Sequence, residues 1–540
     1  MKLINIPWKV RPYLKSGKVD KTDAFWVAGP YIYNKDYDAW ACKNVPLDPK
    51  LWDLSNYTNS TLPRIIYPVE PAPEHIRLEY NQPLCVRVVI PSLRKLTGAM
   101  NGENSRQYFT TLPNTGWDSV MLEFVGINTK ITVPLDLEMY PDFHNNQIDD
   151  VHIYQAELRL KDSDLYRPTG YHEFHSGAWN MELDSKFPAY TPTHFHTSDL
   201  MKTRVSVVVP QTHHTHYKNH MQLPLCRTPS AEGRWIHKSL LSMDLSEVLP
   251  ADNLGKIWLP YECRYKPYTY PQYIDCLSTR YPYQHYYGDS NMRRSIKKIV
   301  TLGGWCSTPD LYETRYCLCE DSKEPFNPFD HFNRDMLIEL NTKQGGLAAR
   351  QGQDNYTHQG IINPVMAKIY WHKMDGLTFW NFPSIKDHFT TELFRDMLRE
   401  EYPQVVMLSL VNWDIAFGSF SQYTYRLNSL ISAFKTQYTG AKPPVAYNHK
   451  NNPAPLFIWR TGQYFCCRVD RSHETRRFSK SRRDVFDKYT VEQLRQVWPN
   501  MMVWDVAQLE AKRVYDERIM AKKCDSNHAR SEVVEIENQI

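Results

Sequence analysis

The chain has 540 residues, and its 64 basic and 60 acidic side chains leave a net charge of +4. This length predicts two to three domains with full hydrophobic cores. The near balance of charge argues against a polyanionic partner such as nucleic acid. No stretch reaches the ~18 apolar residues that a membrane-spanning helix needs.

The composition favours a β-rich structure with long ordered loops, because 35 Tyr and 15 Trp are accompanied by 36 Pro. Aromatic surfaces of this kind can stack on sugars, although a single ring is more often an ordinary core residue. The sequence gives opposing signals about the cellular compartment. The first residues lack the apolar segment of a signal peptide. Yet 11 cysteines, an odd number, and sequons at Asn56, Asn59 and Asn355 are typical of secreted proteins.

Two regions of different pattern follow each other along the chain. Residues 1–65 have no clear hydrophobic period, and we interpret them as an irregular arm. From 66 to 220, short segments alternate apolar and polar residues between turns, which predicts a β-sandwich. The predicted strands are 75–80, 84–90, 119–124, 130–134, 151–160 and 203–209.

After a connector at 221–255, residues 256–540 alternate continuous apolar segments with helical patterns, which predicts an α/β domain with a parallel sheet covered on both faces. The predicted strands are 367–371, 404–411, 455–459 and 501–504, and the predicted helices are 389–399, 423–436 and 490–497. An insertion at about 305–365, with Cys306, Cys317, Cys319 and Gly345-Gly346, predicts a disulfide-pinned flap over the cleft.

Gly288-Asp289-Ser290 lies between an aromatic strand pattern and a helix that opens at Asn291. A serine there has unpaired backbone N–H groups beside it, and the helix dipole favours negative charge. This is the geometry that a nucleophilic serine needs if an oxyanion forms beside it. The competing interpretation is that Ser290 caps the helix.

Asp525-x-x-His528 lies close to the end of the chain. An aspartate and a histidine at this spacing can face one point, so that Asp525 orients the ring of His528 and the ring accepts the proton of Ser290. The competing interpretation makes Asp525 a helix cap and His528 a surface histidine.

Together, Gly-Asp-Ser with Arg293 and the terminal Asp-x-x-His resemble the PC-esterase branch of the SGNH/GDSL hydrolases. That branch includes the plant trichome-birefringence-like proteins, the neurexophilin-and-esterase-domain proteins and the fungal capsule O-acetylation proteins. The segment 258–270 with Cys276 also resembles the stretch that those proteins carry before the serine. The resemblance implies an immunoglobulin-like domain before a flavodoxin-like three-layer SGNH domain.

The resemblance also implies donors for the oxyanion. Asn412, in Leu410-Val-Asn-Trp-Asp414, falls where the family pattern places an asparagine, although Leu410 replaces the family glycine. Gly376 is the candidate for the missing glycine donor. Arg293 is expected to steady the oxyanion or a substrate carboxylate, or only to pair with an acid. Gly288 and Asp289 complete the predicted site.

The remaining chemistry-bearing residues predict no metal. The histidines 172, 175, 194, 196, 213, 214, 216 and 220 cluster in the predicted sandwich, but no paired Cys or His-Glu-x-x-His pattern accompanies them. Cys263 and Cys276 are predicted, with the three cysteines of the insertion, to form bridges near the site.

Two functions compete. The first is a serine enzyme that moves or removes an O-acetyl group on a glycan through an acyl-Ser290 intermediate, without a bound cofactor. A transferase would take its acetyl group from a donor such as acetyl-CoA. The second is a catalytically degenerate extracellular protein that binds glycan or protein through the sandwich, which the departure at Leu410 motivates.

Overall fold

The computed structural model describes residues 2–4, 31–46, 64–66, 75–91, 119–139, 151–174, 193–196, 206–209, 217–241, 248–304, 335–343, 345–350, 364–378, 402–438, 455–464, 480–514, 517 and 528–540. The following predictions fall outside these residues: Asp525, the helix at 389–399, the three sequons, and Cys306, Cys317 and Cys319.

In the N-terminal half, the described residues form one hydrogen-bonded sheet of eleven strands. They are β1 (Lys2–Ile4), β2 (Tyr31–Tyr33), β3 (Arg64–Ile66), β4 (His75–Arg77), β5 (Pro83–Pro91), β6 (Ser119–Val125), β7 (Lys130–Met139), β8 (Val151–Arg159), β9 (Asp164–Phe174), β10 (Thr193–His196) and β11 (Ser206–Val209). Their order is β1-β2-β4-β11-β9-β6-β7-β8-β5-β3, and β10 pairs with β9.

The long strand β7 joins two parts of this sheet. Its first half pairs with β6 and its second half with β8, and the register shifts between Leu137 and Met139. Every second residue of β5 and β6 enters one shared core, which also holds Trp40. The region is therefore β-rich, as predicted, while its immunoglobulin-like topology and its boundaries stay predictions.

The predicted connector contributes a strand. β12 (Gly233–His237) pairs antiparallel with β13 (Lys256–Pro260) as a separate sheet. Short 3-10 helices lie at Cys42–Asn44, Tyr217–Gln222 and Lys238–Leu240. Trp235 and Trp258 meet edge to face, with their ring centres 5.5 Å apart.

In the C-terminal half, the described residues form a second sheet of seven strands. They are β14 (Tyr283–Gly288), β15 (Met336–Asn341), β16 (Gly345–Arg350), β17 (Ala367–Lys373), β18 (Val405–Ser409), β19 (Leu456–Arg460) and β20 (Met502–Trp504). Their order is β16-β15-β17-β14-β18-β19-β20. Strands β14, β17, β18, β19 and β20 pair in parallel, and β15 runs antiparallel to both of its neighbours, β17 and β16.

The parallel strands, numbered along the chain, therefore follow the order 2-1-3-4-5. The chain reverses its direction of winding at β14, with β17 on one side and β18 on the other. Ligands of doubly wound sheets bind at such a switch point, beyond the carboxyl ends of the strands. The α/β prediction is confirmed at the level of a mixed sheet with helices on both faces.

The α-helices of the described residues are α1 (Tyr270–Arg280), α2 (Ser290–Val300), α3 (Asn412–Phe417), α4 (Phe420–Tyr438), α5 (Lys480–Val497), α6 (Ala507–Ala511) and α7 (Ser531–Gln539). Helices α4 and α5 cover one face of the sheet, and α1 and α2 cover the other. Neighbouring strand residues divide between the two cores, as Leu408 and Met407 do, because side chains alternate along a strand. No described helix is both long and apolar enough to cross a membrane.

Two predictions about the insertion and the cysteines need correction. Gly345-Gly346 opens β16, which extends the edge of the sheet as a hairpin with β15 and is no part of a flap. A side chain at Gly345 would meet the Val300 carbonyl, and its φ of +80° also requires glycine. Cys276 is a free, exposed thiol, while disulfides join Cys226 to Cys263 and Cys42 to Cys85.

Candidate active site

Ser290 is the first residue of α2, directly after the central strand β14. The carboxylate of Asp289 caps the helix by accepting the Asn291 N–H at 2.9 Å. A Cβ at Gly288 would lie 2.6 Å from the Cβ of Met292, so the tight turn from strand to helix leaves no room for a side chain there. The capping role belongs to Asp289, which leaves the Ser290 hydroxyl for another partner.

That partner is His528, from the other end of the chain. The Ser290 Oγ lies 2.7 Å from His528 Nε2, and the two residues are 238 positions apart. Ser290 is half-buried and His528 is 9% exposed. In the tautomer with its proton on Nδ1, the Nε2 lone pair accepts a hydrogen bond from the Ser290 hydroxyl, which is the contact that general-base activation of a serine requires.

Helix α7 fixes the position of His528. It starts three residues later and packs against α2. Its Glu537 is fully buried and accepts hydrogen bonds from Arg460 at 2.7 Å and from the Gln463 side chain at 2.6 Å. Arg294 of α2 donates to the Ala529 carbonyl at 3.3 Å. The last segment of the chain is thereby held against the sheet edge and the serine helix.

Asn412 stands beside Asp289 at the carboxyl ends of the strands. Its side-chain Nδ2 donates to the Asp289 carboxylate at 3.0 Å, and its Oδ1 accepts the Gln463 N–H at 2.9 Å. An asparagine Nδ2 carries two hydrogens, and this contact uses one. Burial raises the pKa of Asp289, against the opposing effect of the Asn412 and Asn291 donors. A continuous chain of hydrogen bonds thus runs from Asp289 through Asn412 and Gln463 to Glu537.

Gly376 lies in the loop after β17, and Asp414 ties this loop to α3. The Asp414 carboxylate accepts the N–H groups of Leu377 at 2.7 Å and Thr378 at 2.9 Å. A Cβ at Gly376 would lie 2.9 Å from that carboxylate. Burial raises the pKa of Asp414 to about 6. The loop that carries Gly376 is therefore fixed beside Asn412, at the switch point of the sheet.

The other predicted site residues are distributed as follows. Arg293 is buried in the first turn of α2. Asp525 lies outside the described residues, three positions before His528. The roles of Ser290, Asp525, His528, Asn412, Gly376 and Arg293 stay predictions.

Of the eight histidines of the predicted cluster, four lie outside the described residues: His175, His213, His214 and His216. His172 belongs to β9, and His194 and His196 belong to β10, which pairs with it. Burial and the charges of Arg234 and Arg264 lower the pKa of His220 to about 4, so its ring is neutral at pH 7. Within the described residues, no group of three or more His, Cys, Asp or Glu side chains has a metal-binding arrangement.

Sequence reasoning missed the residues that hold the pair together, namely Gln463, Arg460, Glu537 and Arg294. The signal in the sequence for Glu537 is its place among apolar residues at helical spacing, which indicates that this acid lies on the buried face of a helix. Comparisons of the chain with protein-family models, with curated proteins and with solved structures find no match.

Proposed function

We propose that the protein is a serine acyl-transfer enzyme that adds or removes O-acetyl groups on a carbohydrate. The supporting observation is the 2.7 Å contact between Ser290 Oγ and His528 Nε2 at the carboxyl end of the central parallel strand. The strand order 2-1-3-4-5 fits a flavodoxin-like SGNH domain, and the β-rich region before it fits the accompanying immunoglobulin-like domain.

In the first half of the reaction, Ser290 Oγ attacks the acetyl carbonyl carbon while His528 Nε2 takes the hydroxyl proton. The carbonyl π electrons move onto the oxygen. When they return, the bond to the leaving atom breaks, an oxygen for an acetyl ester or a sulfur for a thioester donor such as acetyl-CoA, and His528 delivers its proton to that atom. The products are acetyl-Ser290 and a free alcohol or, from a thioester donor, a free thiol.

In the second half, His528 takes a proton from an incoming hydroxyl, which attacks acetyl-Ser290. Water gives acetate, and a sugar hydroxyl gives a new O-acetyl sugar. On both routes the bond between the acetyl carbon and Ser290 Oγ breaks, and His528 delivers its proton to that oxygen, which restores the Ser290 hydroxyl. Asp525 would hold Nδ1–H of the ring and stabilise the imidazolium.

The negative charge of each tetrahedral intermediate needs donors fixed in advance. The Ser290 N–H, at the N-terminus of α2, is the first. The second N–H of Asn412 is the next, since hydrogen bonds to Asp289 and Gln463 fix its amide. The backbone at Gly376, held by Asp414, would complete the set.

The carbohydrate assignment rests on the resemblance of the Ser290 and His528 motifs and on the high aromatic content. The two disulfides are compatible with an extracellular protein, where glycans are abundant.

Hydrolysis of p-nitrophenyl acetate by the full chain tests the proposal. Ser290→Ala should lower the rate about a thousandfold or more, and His528→Ala by a comparable factor, because the two groups act as a unit. Ser432→Ala, on the exposed side of α4, is the matched control and should retain full activity. A rate that persists unchanged in folded Ser290→Ala would favour the degenerate binding protein instead.

A further inference from the structure

A pocket of about 380 Å³ lies behind the serine helix, between α1, α2 and α7 and the sheet. Its floor comes from four strands, through Tyr286, Met407, Ile458 and Trp504. Neither Ser290 nor His528 lines it. The volume is within the range of small-molecule binding sites.

The interior of the pocket is apolar and adaptable. Aromatic rings stand on several sides, and the thioethers of Met292, Met407 and Met502 lie among them. Rings offer large flat contact areas, and methionine side chains adjust to irregular shapes. Such walls suit a ligand that is itself built of rings.

Two polar atoms in the pocket lining have no partner among the described residues. Ser295 is 2% exposed, and its Oγ makes no hydrogen bond there. The same holds for Oδ1 of Asn538. The orientation of Asn538 is set by its Nδ2, which donates to the Ser295 carbonyl at 3.0 Å and to the Tyr270 hydroxyl at 3.2 Å.

A buried polar atom without a partner costs about 1–3 kcal/mol, so two neighbouring ones in one apolar pocket require an explanation. A ligand hydroxyl group has the chemistry to complement either atom, because it can donate to the Asn538 oxygen or accept from the Ser295 hydroxyl.

The charges around the pocket favour a neutral ligand. Of the described lining side chains, only that of Arg227 carries a charge, and it is exposed at the rim. Burial raises the pKa of Tyr270, Tyr273 and Tyr286, so their phenols stay uncharged. A charged ligand group would therefore enter the interior without a compensating charge.

We propose that this pocket binds a neutral molecule of two or three rings that carries a hydroxyl group, at a site separate from Ser290.

Calorimetric titration of the full chain with three probes tests the proposal. 4-Phenylphenol carries rings and a hydroxyl, biphenyl lacks the hydroxyl, and biphenyl-4-carboxylate is charged. We expect one saturable site, with affinity falling in that order. No saturable binding of 4-phenylphenol, or tightest binding of the carboxylate, overturns the proposal.

Single substitutions test whether the probes bind in this pocket. Ser295→Ala should weaken 4-phenylphenol about 3- to 10-fold, the effect of one net hydrogen bond, and leave biphenyl unchanged. Met502→Trp fills the pocket and should abolish binding of both. Thr228→Trp, on the exposed rim of the pocket, should also abolish binding of both probes, without altering the hydrophobic core. Thr436→Trp, on exposed α4, and Ser290→Ala should leave binding intact. Full binding in both Met502→Trp and Thr228→Trp, or loss in Ser290→Ala, contradicts a separate pocket.

Discussion

The two faces of the seven-stranded sheet are covered in different ways. Under α4 and α5, rings interlock closely, as where Phe457 stacks on Trp498 with their centres 3.9 Å apart. Under α2 and α7, the packing leaves room for the 380 Å³ pocket. The same helices position the candidate catalytic pair, since α2 begins at Ser290 and α7 begins three residues after His528. The filled face is closely packed, and the open face carries the candidate catalytic pair with the pocket beside it.

The largest expected effect on stability comes from the buried ion pair that joins helix α7 on the open face to Arg460 at the end of β19. Glu537→Ala leaves Arg460 buried without its partner, and both residues are 0% exposed. Breaking such a pair should lower the free energy of unfolding by about 3–5 kcal/mol. Urea unfolding measures it, with Glu532→Ala of the same helix as the control. A loss below about 1 kcal/mol would show that α7 is held by other contacts.

Two adjacent residues of β18 test the contrast between the faces directly. Leu408 is 1% exposed on the filled face, while Met407 borders the pocket. Leu408→Ala should cost about 4 kcal/mol and Met407→Ala about 2 kcal/mol, because fewer contacts are lost where space already exists. The denaturant midpoints of unfolding of the two variants measure these two costs. Equal costs would mean that the open face is packed as tightly as the other.

The smallest expected effect, counted per pH unit, is a pH dependence of stability that comes from the filled face. Burial raises the pKa of Asp487 to about 7, against the charge of Arg483 and the Trp459 hydrogen bond. The folded state then binds more protons than the unfolded chain between pH about 4 and 7, so stability should fall as pH rises, by up to ~1.4 kcal/mol per pH unit.

Asp487→Asn should flatten this slope, measured as the urea midpoint at several pH values. Asp414, whose pKa burial also raises, to about 6, contributes a slope of the same sign that remains in the variant. The exposed Glu492→Gln on the same helix is the control. An unchanged slope in Asp487→Asn would assign the pH dependence to other groups.

Much of the fold follows from local patterns. The apolar segments of β17, β18, β19 and β20 were predictable to within about two residues because parallel strands are buried on both faces. The hairpin β15–β16 was not, because its Gly345-Gly346 signals a turn or flap as readily as a strand that passes close to α2.

The pair Ser290–His528 could be predicted because each residue lies in a recognisable short motif. The network that holds it could not. Asp289, Asn412, Gln463 and Glu537 come from four distant segments, and each alone is typical of a cap, a loop or a solvent-exposed helix position. Only the folded sheet edge brings them together.

Active-site labelling tests the central claim most directly. The native full chain is treated with a fluorophosphonate probe, and the modified peptide is identified by mass spectrometry. The acyl-transfer account predicts a single adduct on Ser290 that disappears in His528→Ala and is retained in Ser432→Ala. An unlabelled Ser290 in a protein that unfolds cooperatively would contradict it.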